Sequence, residues 1–391
     1  MSETADVVVI GGGVMGTSIG FHLARRRAGR VILLEKNTVC SGTSAKSSAI
    51  VRTHYTTQTT AAMALLARRV FEHWAEEVGG ESGFTQTGML FLAAPARRAS
   101  VERTLRMNQA LGIEASLIGP AEVRALSPHV EVPEGAVVVW EPRSGYASPH
   151  DVAQSFARRF VELGGELRQS TPAVGIDVAG GRVRAVRTPR GEIETGQVVI
   201  AAGPWAGPVG RLAGLDLPVT PSRECIVTLR PSFAWGPAHP VTGDLVHEVY
   251  LRPETGGLIL VGNTNDALAP GDPDAYDERP GRDETAALLT RLAELMPAAA
   301  TAAITGGWAG MYEVSPDWNP IMGSAATPSG VHYAVGFSGH GFKLSPIVGR
   351  LMAEQILDGR AHTVDITPYR LERFAEGQEL RVAYQGAGVI G

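Results

Sequence analysis

Short runs of consecutive apolar residues alternate with amphipathic stretches at the start of the chain. Residues 5–10 (ADVVVI) are rich in β-branched side chains, and residues 31–35 (VILLE) repeat this pattern. Between them, residues 15–26 place apolar side chains at helical spacing and end in a basic cluster. A strand, a helix and a second strand in this order predict a parallel sheet that is covered on both faces.

Helical and strand-like patterns continue along the rest of the chain. Four further segments have apolar residues at helical spacing, which predicts helices at 58–78, 97–111, 150–163 and 345–357. Short apolar runs between turn residues predict strands at 84–93, 183–188, 197–203, 224–230, 256–263 and 331–337. We expect the strands at 183–188, 197–203 and 331–337 to return to the first sheet. The segment 84–93 and the proline-rich portion 217–277 indicate an antiparallel sheet in a second lobe.

The composition favours a globular enzyme. A chain of 391 residues is longer than one typical domain, so we expect two packed lobes with a shared core. With 47 Gly, 25 Pro and 19% charged residues, the chain suits an α/β protein with many tight turns. The net charge of -5, without a long Lys/Arg stripe, argues against nucleic acid as a partner.

Cysteine content and hydropathy bear on the compartment. Cys40 and Cys225 lie far apart and lack metal-ligand spacing, so we expect neither a disulfide nor a metal site. A reducing compartment fits this content. No apolar run approaches the roughly 20 residues that a membrane-spanning helix requires. We therefore expect a cytoplasmic protein without a membrane partner.

Three glycines stand at Gly-x-Gly-x-x-Gly spacing between the first strand and the first helix: Gly11, Gly13 and Gly16. Residues without a Cβ permit a tight turn and close approach to a pyrophosphate, whose charge the helix N-terminus then faces. Glu35 follows 19 residues after Gly16, where a carboxylate can accept hydrogen bonds from ribose hydroxyls. This motif predicts a dinucleotide site but fits FAD and NAD equally. Further candidate contacts beside it are Val14, Met15 and Lys36.

Two further segments favour FAD. Small and hydroxyl-bearing residues follow the second strand, and the strand at 197–203 ends in small residues before a proline and a tryptophan. The three segments, in this order, match the organisation of flavoproteins. The candidate cofactor contacts in the two segments are Ser41, Gly42, Thr43, Ser44, Ser47, Ser48, Ala202, Gly203 and Trp205.

Four ordered motifs span nearly the full length of the chain. They are VVVIGGGVMG with Glu35, SGTSAKSSAIVRTHY, VVIAAGPWA and VHYAVGFSGHGFKLSPIVG. In these motifs the chain resembles the FAD-dependent oxidoreductases of the D-amino acid oxidase superfamily, especially monomeric sarcosine oxidase, the sarcosine oxidase β subunit and glycine oxidase. The resemblance implies an α/β fold with a Rossmann-like FAD-binding lobe and a discontinuous substrate lobe on a mainly antiparallel sheet. The implied domains are 1–82, 146–214 and 325–391 for FAD, and 83–145 and 215–324 for the substrate.

The resemblance also implies which residues contact the flavin and the substrate. Arg52 and Lys343 match positions that bind the substrate carboxylate in monomeric sarcosine oxidase, where a guanidinium can grip both oxygens. Groups that could orient the amine or accept its proton are His54, Tyr55, His247 and Tyr250. The implied flavin contacts are Val174, Gly310, Tyr312, Gly339, His340, Gly341, Phe342 and Lys343.

Three departures from the family pattern concern the flavin and oxygen. Gly310 stands where monomeric sarcosine oxidase attaches its flavin through a cysteine. The histidine that anchors FAD in dimethylglycine dehydrogenase is missing near Thr43, so we expect noncovalent FAD. Leu260 replaces the lysine that promotes reaction with oxygen in monomeric sarcosine oxidase, which argues against rapid use of O2.

The resulting prediction is oxidation of a small anionic amine, above all a secondary or N-methyl amino acid. A hydride passes to flavin N5, and the imine that forms is hydrolysed. Three alternatives stay open: oxidation of a 2-hydroxy acid with His54 or His340 as base, an electron-transferring FAD subunit of a larger complex, and an NAD-dependent dehydrogenase. The expected partners are the substrate, O2 or another electron acceptor and, in the second alternative, a partner subunit.

Overall fold

The computed structural model describes residues 3–265 and 267–380. Its α-helices are α1 (Val14–Arg25), α2 (Gln58–Glu72), α3 (Trp74–Glu77), α4 (Arg98–Ala110), α5 (Pro120–Leu126), α6 (Pro149–Glu162), α7 (Ala206–Leu212), α8 (Arg282–Leu295) and α9 (Gly341–Asp358). None of the described helices is long and apolar enough to span a bilayer. The β-strands, in chain order, are β1 (Glu3–Thr4), β2 (Val7–Ile10), β3 (Val31–Leu34), β4 (Ile50–Val51), β5 (Thr85–Gln86), β6 (Met89–Ala93), β7 (Ser116–Ile118), β8 (Val137–Glu141), β9 (Gly145–Tyr146), β10 (Glu166–Arg168), β11 (Gly175–Ala179), β12 (Arg182–Thr188), β13 (Gly191–Glu194), β14 (Val198–Ile200), β15 (Thr220–Arg230), β16 (Val241–Asp244), β17 (Val249–Glu254), β18 (Leu258–Asn263), β19 (Ala303–Val314), β20 (Ile321–Ser324) and β21 (Val331–Val335).

A six-stranded sheet contains the predicted N-terminal unit, in the order β10-β3-β2-β14-β21-β20. Its strands run parallel except for β20, which pairs antiparallel with β21 at one edge. Val7 and Val9 pack toward α1, α6 and α9, whereas Val8 and Ile10 pack against a four-stranded sheet, β1-β13-β12-β11. The prediction of a parallel sheet buried on both faces is confirmed, because β2 and β3 are apolar at every position.

Helices α1 and α9 pack closely beside this sheet. A Cβ on Gly349 would lie 2.2 Å from Ser18 Oγ, and the Ser18 hydroxyl donates to the Ser345 carbonyl over 2.7 Å. Helix α9 begins at Gly341, four residues before its predicted start, although Pro346 lacks an amide donor. The Ser345 hydroxyl donates to the Phe342 carbonyl over 2.8 Å, which satisfies an acceptor in the first turn. Residues 341–343 are therefore helical.

An eight-stranded sheet forms the second layer, in the order β19-β15-β18-β17-β16-β6-β8-β7. All neighbouring pairs are antiparallel except β16 and β6, which confirms the mainly antiparallel prediction. One face is covered by α8, whose Leu288 and Leu292 are buried against Val227. The opposite face carries Ile226 and Tyr250 and closes a large cavity against the six-stranded sheet.

Three predicted elements differ from the structure. The strand at 84–93 is divided into β5 and β6, which join different sheets, because Gly88 bends the chain at a φ of +73° over the Trp140 ring. The strand at 183–188 belongs to the four-stranded sheet rather than to the first sheet, since β12 pairs antiparallel with β11 and β13. The helix at 58–78 consists of α2 and α3, separated at His73, where φ is -119°.

The composition of the two large sheets bears on the domain boundaries that were predicted from the sequence. The eight-stranded sheet takes its strands from the segments 83–145 and 215–324, whereas β20 pairs with β21 in the six-stranded sheet. The boundary predicted after residue 324 thus separates two paired strands. We propose that the second lobe ends before β20. Residues 381–391, assigned from the sequence to the FAD-binding domain, lie outside the described residues.

Candidate active site

A cavity of about 540 Å³ lies between the carboxyl ends of the parallel strands and the eight-stranded sheet. Its size falls in the range of small-molecule and cofactor sites, about 300–1,000 Å³. Most residues predicted for the site line it: Gly11, Gly13, Val14, Met15, Glu35, Lys36, Ser41, Gly42, Thr43, Ser44, Ser47, Ser48, Ala202, Gly203, Trp205, Tyr250, Gly310, Tyr312, Gly339, Gly341, Phe342 and Lys343.

The glycine turn between β2 and α1 has no room for side chains. Gly11 has a φ of +117°, and a Cβ there would lie 2.3 Å from the Ala201 carbonyl oxygen. A Cβ on Gly16 would lie 1.8 Å from the Gly11 carbonyl oxygen. Gly16 therefore lets the helix approach the turn and does not itself line the cavity.

The N-terminus of α1 is open toward the cavity. Gly13 is the N-cap and has no side chain with which to cap the helix, and the first turn contains no acidic residue. The Val14 amide donates to Ser44 Oγ over 3.1 Å. Amide donors and the positive end of the helix dipole make this turn a site for an anion.

Glu35 is held at the end of β3 by backbone amides. Gly12 donates to one carboxylate oxygen over 2.7 Å, and Asn37 donates to the other over 2.8 Å. Each oxygen keeps a further lone pair, so the carboxylate can still accept hydroxyl donors from the cavity. The role of the Gly12 amide was missed from the sequence, since only the flanking glycines of the motif were singled out.

A segment of the second layer lies over the same cavity. Residues 273–278, which we call the strap, contact two lysines of the first layer. Lys36 Nζ lies 2.6 Å from Asp274 and 3.7 Å from the centre of the Trp205 ring. Lys46 Nζ donates to the Tyr276 hydroxyl over 2.6 Å and also to Glu278. These contacts were missed from the sequence, because the strap has the composition of an ordinary loop and meets residues more than 200 positions away.

The wall of the eight-stranded sheet is built from cross-strand pairs. On β15 and β19, Glu224 lies opposite Gly310, and Ser222 lies opposite Tyr312. A Cβ on Gly310 would lie 2.9 Å from Lys46 Cβ, so the stem of that lysine covers the glycine. Burial raises the pKa of Tyr250 to about 12, and the phenol stays protonated.

Two buried cations lie at the side of the cavity formed by α9. Lys343 lines the cavity, and its ammonium is 3.4 Å from the Gly339 carbonyl oxygen. Arg52 is buried behind it, donates to the His54 carbonyl and lies 4.3 Å from the centre of the Tyr55 ring. Burial, followed by the positive charge of Arg52, lowers the pKa of Lys343 well below its usual range. Two adjacent buried cations favour binding of an anion.

The predicted histidines lie away from the cavity surface. His54 is fully buried and stacks on Phe91 with 4.3 Å between ring centres. Burial lowers its pKa to about 3. His340 packs edge-on to Tyr55, and His247 lies in the turn after β16, where it bonds to Asp244 over 2.5 Å. None of these three imidazoles lines the cavity.

The structure places Val174, predicted as a cofactor contact, outside the cavity. Its side chain is 49% exposed and lies outside the cavity, because its amide is tied to the Arg187 carbonyl on β12. The preceding residues Pro172 and Ala173 line the cavity instead. Glu224 and Glu313 are two lining carboxyls that were missed. For Glu224, a polar residue two positions before Ile226 on an apolar strand was a usable signal.

The whole cavity lies within the part of the chain that matches a known family. Residues 6–355 match the family model DAO, described as FAD dependent oxidoreductase. The chain is 28% identical to the sarcosine oxidase subunit beta of Arthrobacter sp, over 96% of this chain and 92% of that protein. It is also 28% identical to the glycine oxidase of Geobacillus kaustophilus, over 95% and 98% of the two chains.

Solved structures agree with this match. The crystal structure of L-proline dehydrogenase from P. horikoshii superposes with a TM-score of 0.89 at 28% identity, covering 97% of this chain and 100% of that chain. The glycine oxidase structure from Geobacillus kaustophilus gives 0.81 at 26% identity, covering 95% and 99%. An open helix N-terminus, a tethered carboxylate and a match over most of the chain lead to one conclusion: the protein belongs to the DAO family of FAD-dependent oxidoreductases.

Proposed function

We propose that this enzyme oxidises a small amine that carries a carboxylate, with secondary or N-methyl amino acids as its substrates. The observation that supports this proposal most directly is the pair of basic side chains, Arg52 and Lys343, beside the FAD cavity. Burial, and after it the positive charge of Arg52, lowers the pKa of Lys343, and a carboxylate bound beside both side chains offsets this cost. The names of the related sarcosine and glycine oxidases support an amino-acid substrate.

The glycine turn and Glu35 fit the ADP half of FAD. We assign the pyrophosphate to the open N-terminus of α1 at Gly13 and the ribose to the Glu35 carboxylate. Gly310 supplies no side chain for a covalent bond, so we propose that FAD is held noncovalently, partly by the strap. The first turn of α9, with Lys343, is assigned to the flavin ring and the substrate.

Bound FAD supplies a hydride acceptor at flavin N5. The protein contributes mainly position and charge: Arg52 and Lys343 fix the carboxylate, which orients the C–H bond next to the amine. Tyr250 acts as a hydrogen-bond donor rather than a base, since its pKa is raised to about 12. The substrate leaves as an imine, which water hydrolyses.

The other functions have less support. Oxidation of a 2-hydroxy acid needs a base for the hydroxyl proton, but His54 has a pKa near 3 and does not line the cavity. An NAD-dependent dehydrogenase does not fit a family that uses FAD. The likeness to a protein named subunit beta supports a second proposal, that this chain assembles with a partner subunit; the mass of the native particle in solution tests it.

The test is anaerobic reduction of the purified yellow protein. Absorption at the flavin band is followed while sarcosine, glycine, L-proline and matching 2-hydroxy acids are added in turn. We expect bleaching by at least one amino acid, none by the hydroxy acids, and release of free FAD by acid precipitation. Bleaching by hydroxy acids alone would replace the proposal with the first alternative.

A further inference from the structure

The wall of the cavity carries a carboxyl group besides the one assigned to ribose. Glu224 lines the cavity from β15, together with Ile226 two residues later. Its cross-strand neighbour Gly310 has no side chain and is covered by the stem of Lys46, whose ammonium is bound by the strap. Glu224 lines the space assigned to flavin and substrate.

Neutral donors hold this carboxyl in place. The Ser222 hydroxyl lies 3.4 Å from one oxygen, and the Asn263 amide lies 3.3 Å from the other, so both hydrogen bonds are long. Arg223 precedes Glu224 on β15 and forms an ion pair with Glu284 on α8. The negative charge of Glu284 raises the pKa of Glu224 by more than the positive charge of Arg223 lowers it. Burial is the largest influence and raises the pKa of Glu224 to about 7.

Further titratable groups around Glu224 come from its own strand and from two others. They are Cys225 on β15, Tyr250 on β17 and Tyr312 on β19, and burial raises the pKa of all three. All three are therefore neutral at pH 7, and none supplies a positive charge to neutralise Glu224. A cation in the cavity would be the strongest partner for this carboxylate.

Tyr312 links Glu224 to the cationic pair. A Cβ on Gly339 would lie 2.7 Å from the Tyr312 ring, and the same Gly339 offers its carbonyl oxygen to Lys343. The Tyr312 phenol feels both the negative charge of Glu224 and the positive charge of Arg52. The cavity thus has an acid on the sheet side and two basic side chains, Lys343 and the buried Arg52, on the α9 side.

We propose that Glu224 binds the amino group of the substrate and accepts its proton, while Arg52 and Lys343 bind the carboxylate. This inference rests on the proposed function and narrows the substrate class to zwitterionic amino acids. An N–H bond of the substrate ammonium breaks, an O–H bond forms on Glu224, and the nitrogen keeps the electron pair. Only the neutral amine can release a hydride from the adjacent carbon, so Glu224 prepares the substrate for oxidation.

The decisive comparison is between wild-type protein and Glu224→Gln. The rate of anaerobic flavin reduction is measured from pH 5.5 to 9 with the amino acid that bleaches the wild type. We expect the wild-type rate to rise through pH 7 as Glu224 ionises. Glu224→Gln should be slower by at least about ten-fold at pH 8 and should lose this inflection. Affinity for propionate or cyclopentanecarboxylate, which lack the amine, should stay within about two-fold, since Arg52 and Lys343 are intact.

Glu284→Gln is the matched control on the opposite face of β15. It removes a negative charge that raises the pKa of Glu224, so the inflection should persist and move to lower pH. If no amino acid bleaches the flavin of the wild-type protein, the proposed function itself is wrong. A bleached wild type with an unchanged rate and pH profile in Glu224→Gln would overturn the role of Glu224 alone. Loss of FAD, or of affinity for the simple carboxylates, in Glu224→Gln would overturn it too, by assigning that residue a structural role.

Discussion

Lys343 combines burial with proximity to a second cation. Removal from water and the charge of Arg52 both act against its ammonium form. In the free enzyme, the amine is therefore neutral over a pH range in which an ordinary lysine is charged. A bound carboxylate reverses this preference, because the ion pair then compensates for the lost hydration. Under the proposed function, binding of the substrate carboxylate and binding of a proton are thus coupled at Lys343.

This coupling predicts proton uptake when a simple carboxylate binds. At a pH above the lowered pKa of Lys343 in the free enzyme, propionate binding should draw up to about one proton per site from solution, since this pKa rises on pairing. Titration calorimetry in buffers with different ionisation enthalpies measures the uptake. Lys343→Met should bind more weakly and take up none. Equal heats in all buffers for the wild type would show that Lys343 is already charged.

At the scale of elements, the strap joins the two layers over the cofactor cavity. Lys36 and Lys46 approach it from the first layer, and Asp274, Tyr276 and Glu278 approach from the second. Each contact is partly exposed and worth at most about 1 kcal/mol alone. Because they act together at the cavity rim, they favour retention of FAD.

Weakening the strap should therefore speed FAD release. The double variant Asp274→Ala with Tyr276→Ala is expected to raise the dissociation rate of FAD about five- to ten-fold, equivalent to roughly 1 kcal/mol. The rise in flavin fluorescence after a large dilution of the FAD-saturated protein gives this rate. Asp277→Ala, in the same segment but outside the cavity lining, is the control. A double variant with wild-type release would mean that the strap does not hold the cofactor.

Local sequence patterns predicted the individual strands and helices better than they predicted which strands pair with each other. The apolar runs at 5–10 and 31–35 and the helical spacing at 15–26 predicted the first βαβ unit, which the structure forms as β2, α1 and β3. By contrast, the sheet that β12 joins depends on tertiary pairing, and the bend in 84–93 depends on Trp140 beneath Gly88. No local pattern contains such information.

The same limit applies to the site. Motif positions such as Gly13 and Glu35 lie where the sequence predicted them, because a turn and a strand end are local features. The strap contacts at Lys36 and Lys46 arise only when distant segments fold together. Glu224 stands between these cases: it was missed, although its position on an apolar strand was a usable signal, and only the fold shows that it borders the cavity.

At the scale of the whole molecule, buried histidines link stability to pH. Burial lowers the pKa of four of them: to about 3 for His22 and His54, and to about 4 for His239 and His332. Unfolded histidine titrates near 6.5, so below that pH the unfolded chain binds protons that the folded chain excludes. The stability that these histidines contribute is fully present above pH 6.5 and is lost as the pH falls through 4 toward 3. The acids Glu224 and Glu313 oppose it, because their raised pKa values near 7 favour the folded state on acidification.

His22→Gln isolates one part of this balance. The His22 ring nitrogen lies 3.1 Å from the Pro346 carbonyl oxygen, and a glutamine amide can donate in its place. Between pH 6.5 and 4.5, the variant should lose less stability than the wild type, by up to about 1.4 kcal/mol per pH unit. Urea denaturation of the FAD-saturated proteins at three pH values gives the slopes. Parallel slopes would show that the imidazole takes up its proton in the folded state as well.

The strand order of the six-stranded sheet also determines when the enzyme can be completed during synthesis. β14, from the middle of the chain, lies between β2 from its beginning and β21 from near its end. Lys343 follows β21 on α9. A nascent chain on the ribosome thus lacks one wall of the cavity until α9 has been translated as far as Lys343. FAD must be loaded late in translation or after release, and a nonsense codon before residue 343 leaves a fragment without a complete flavin site.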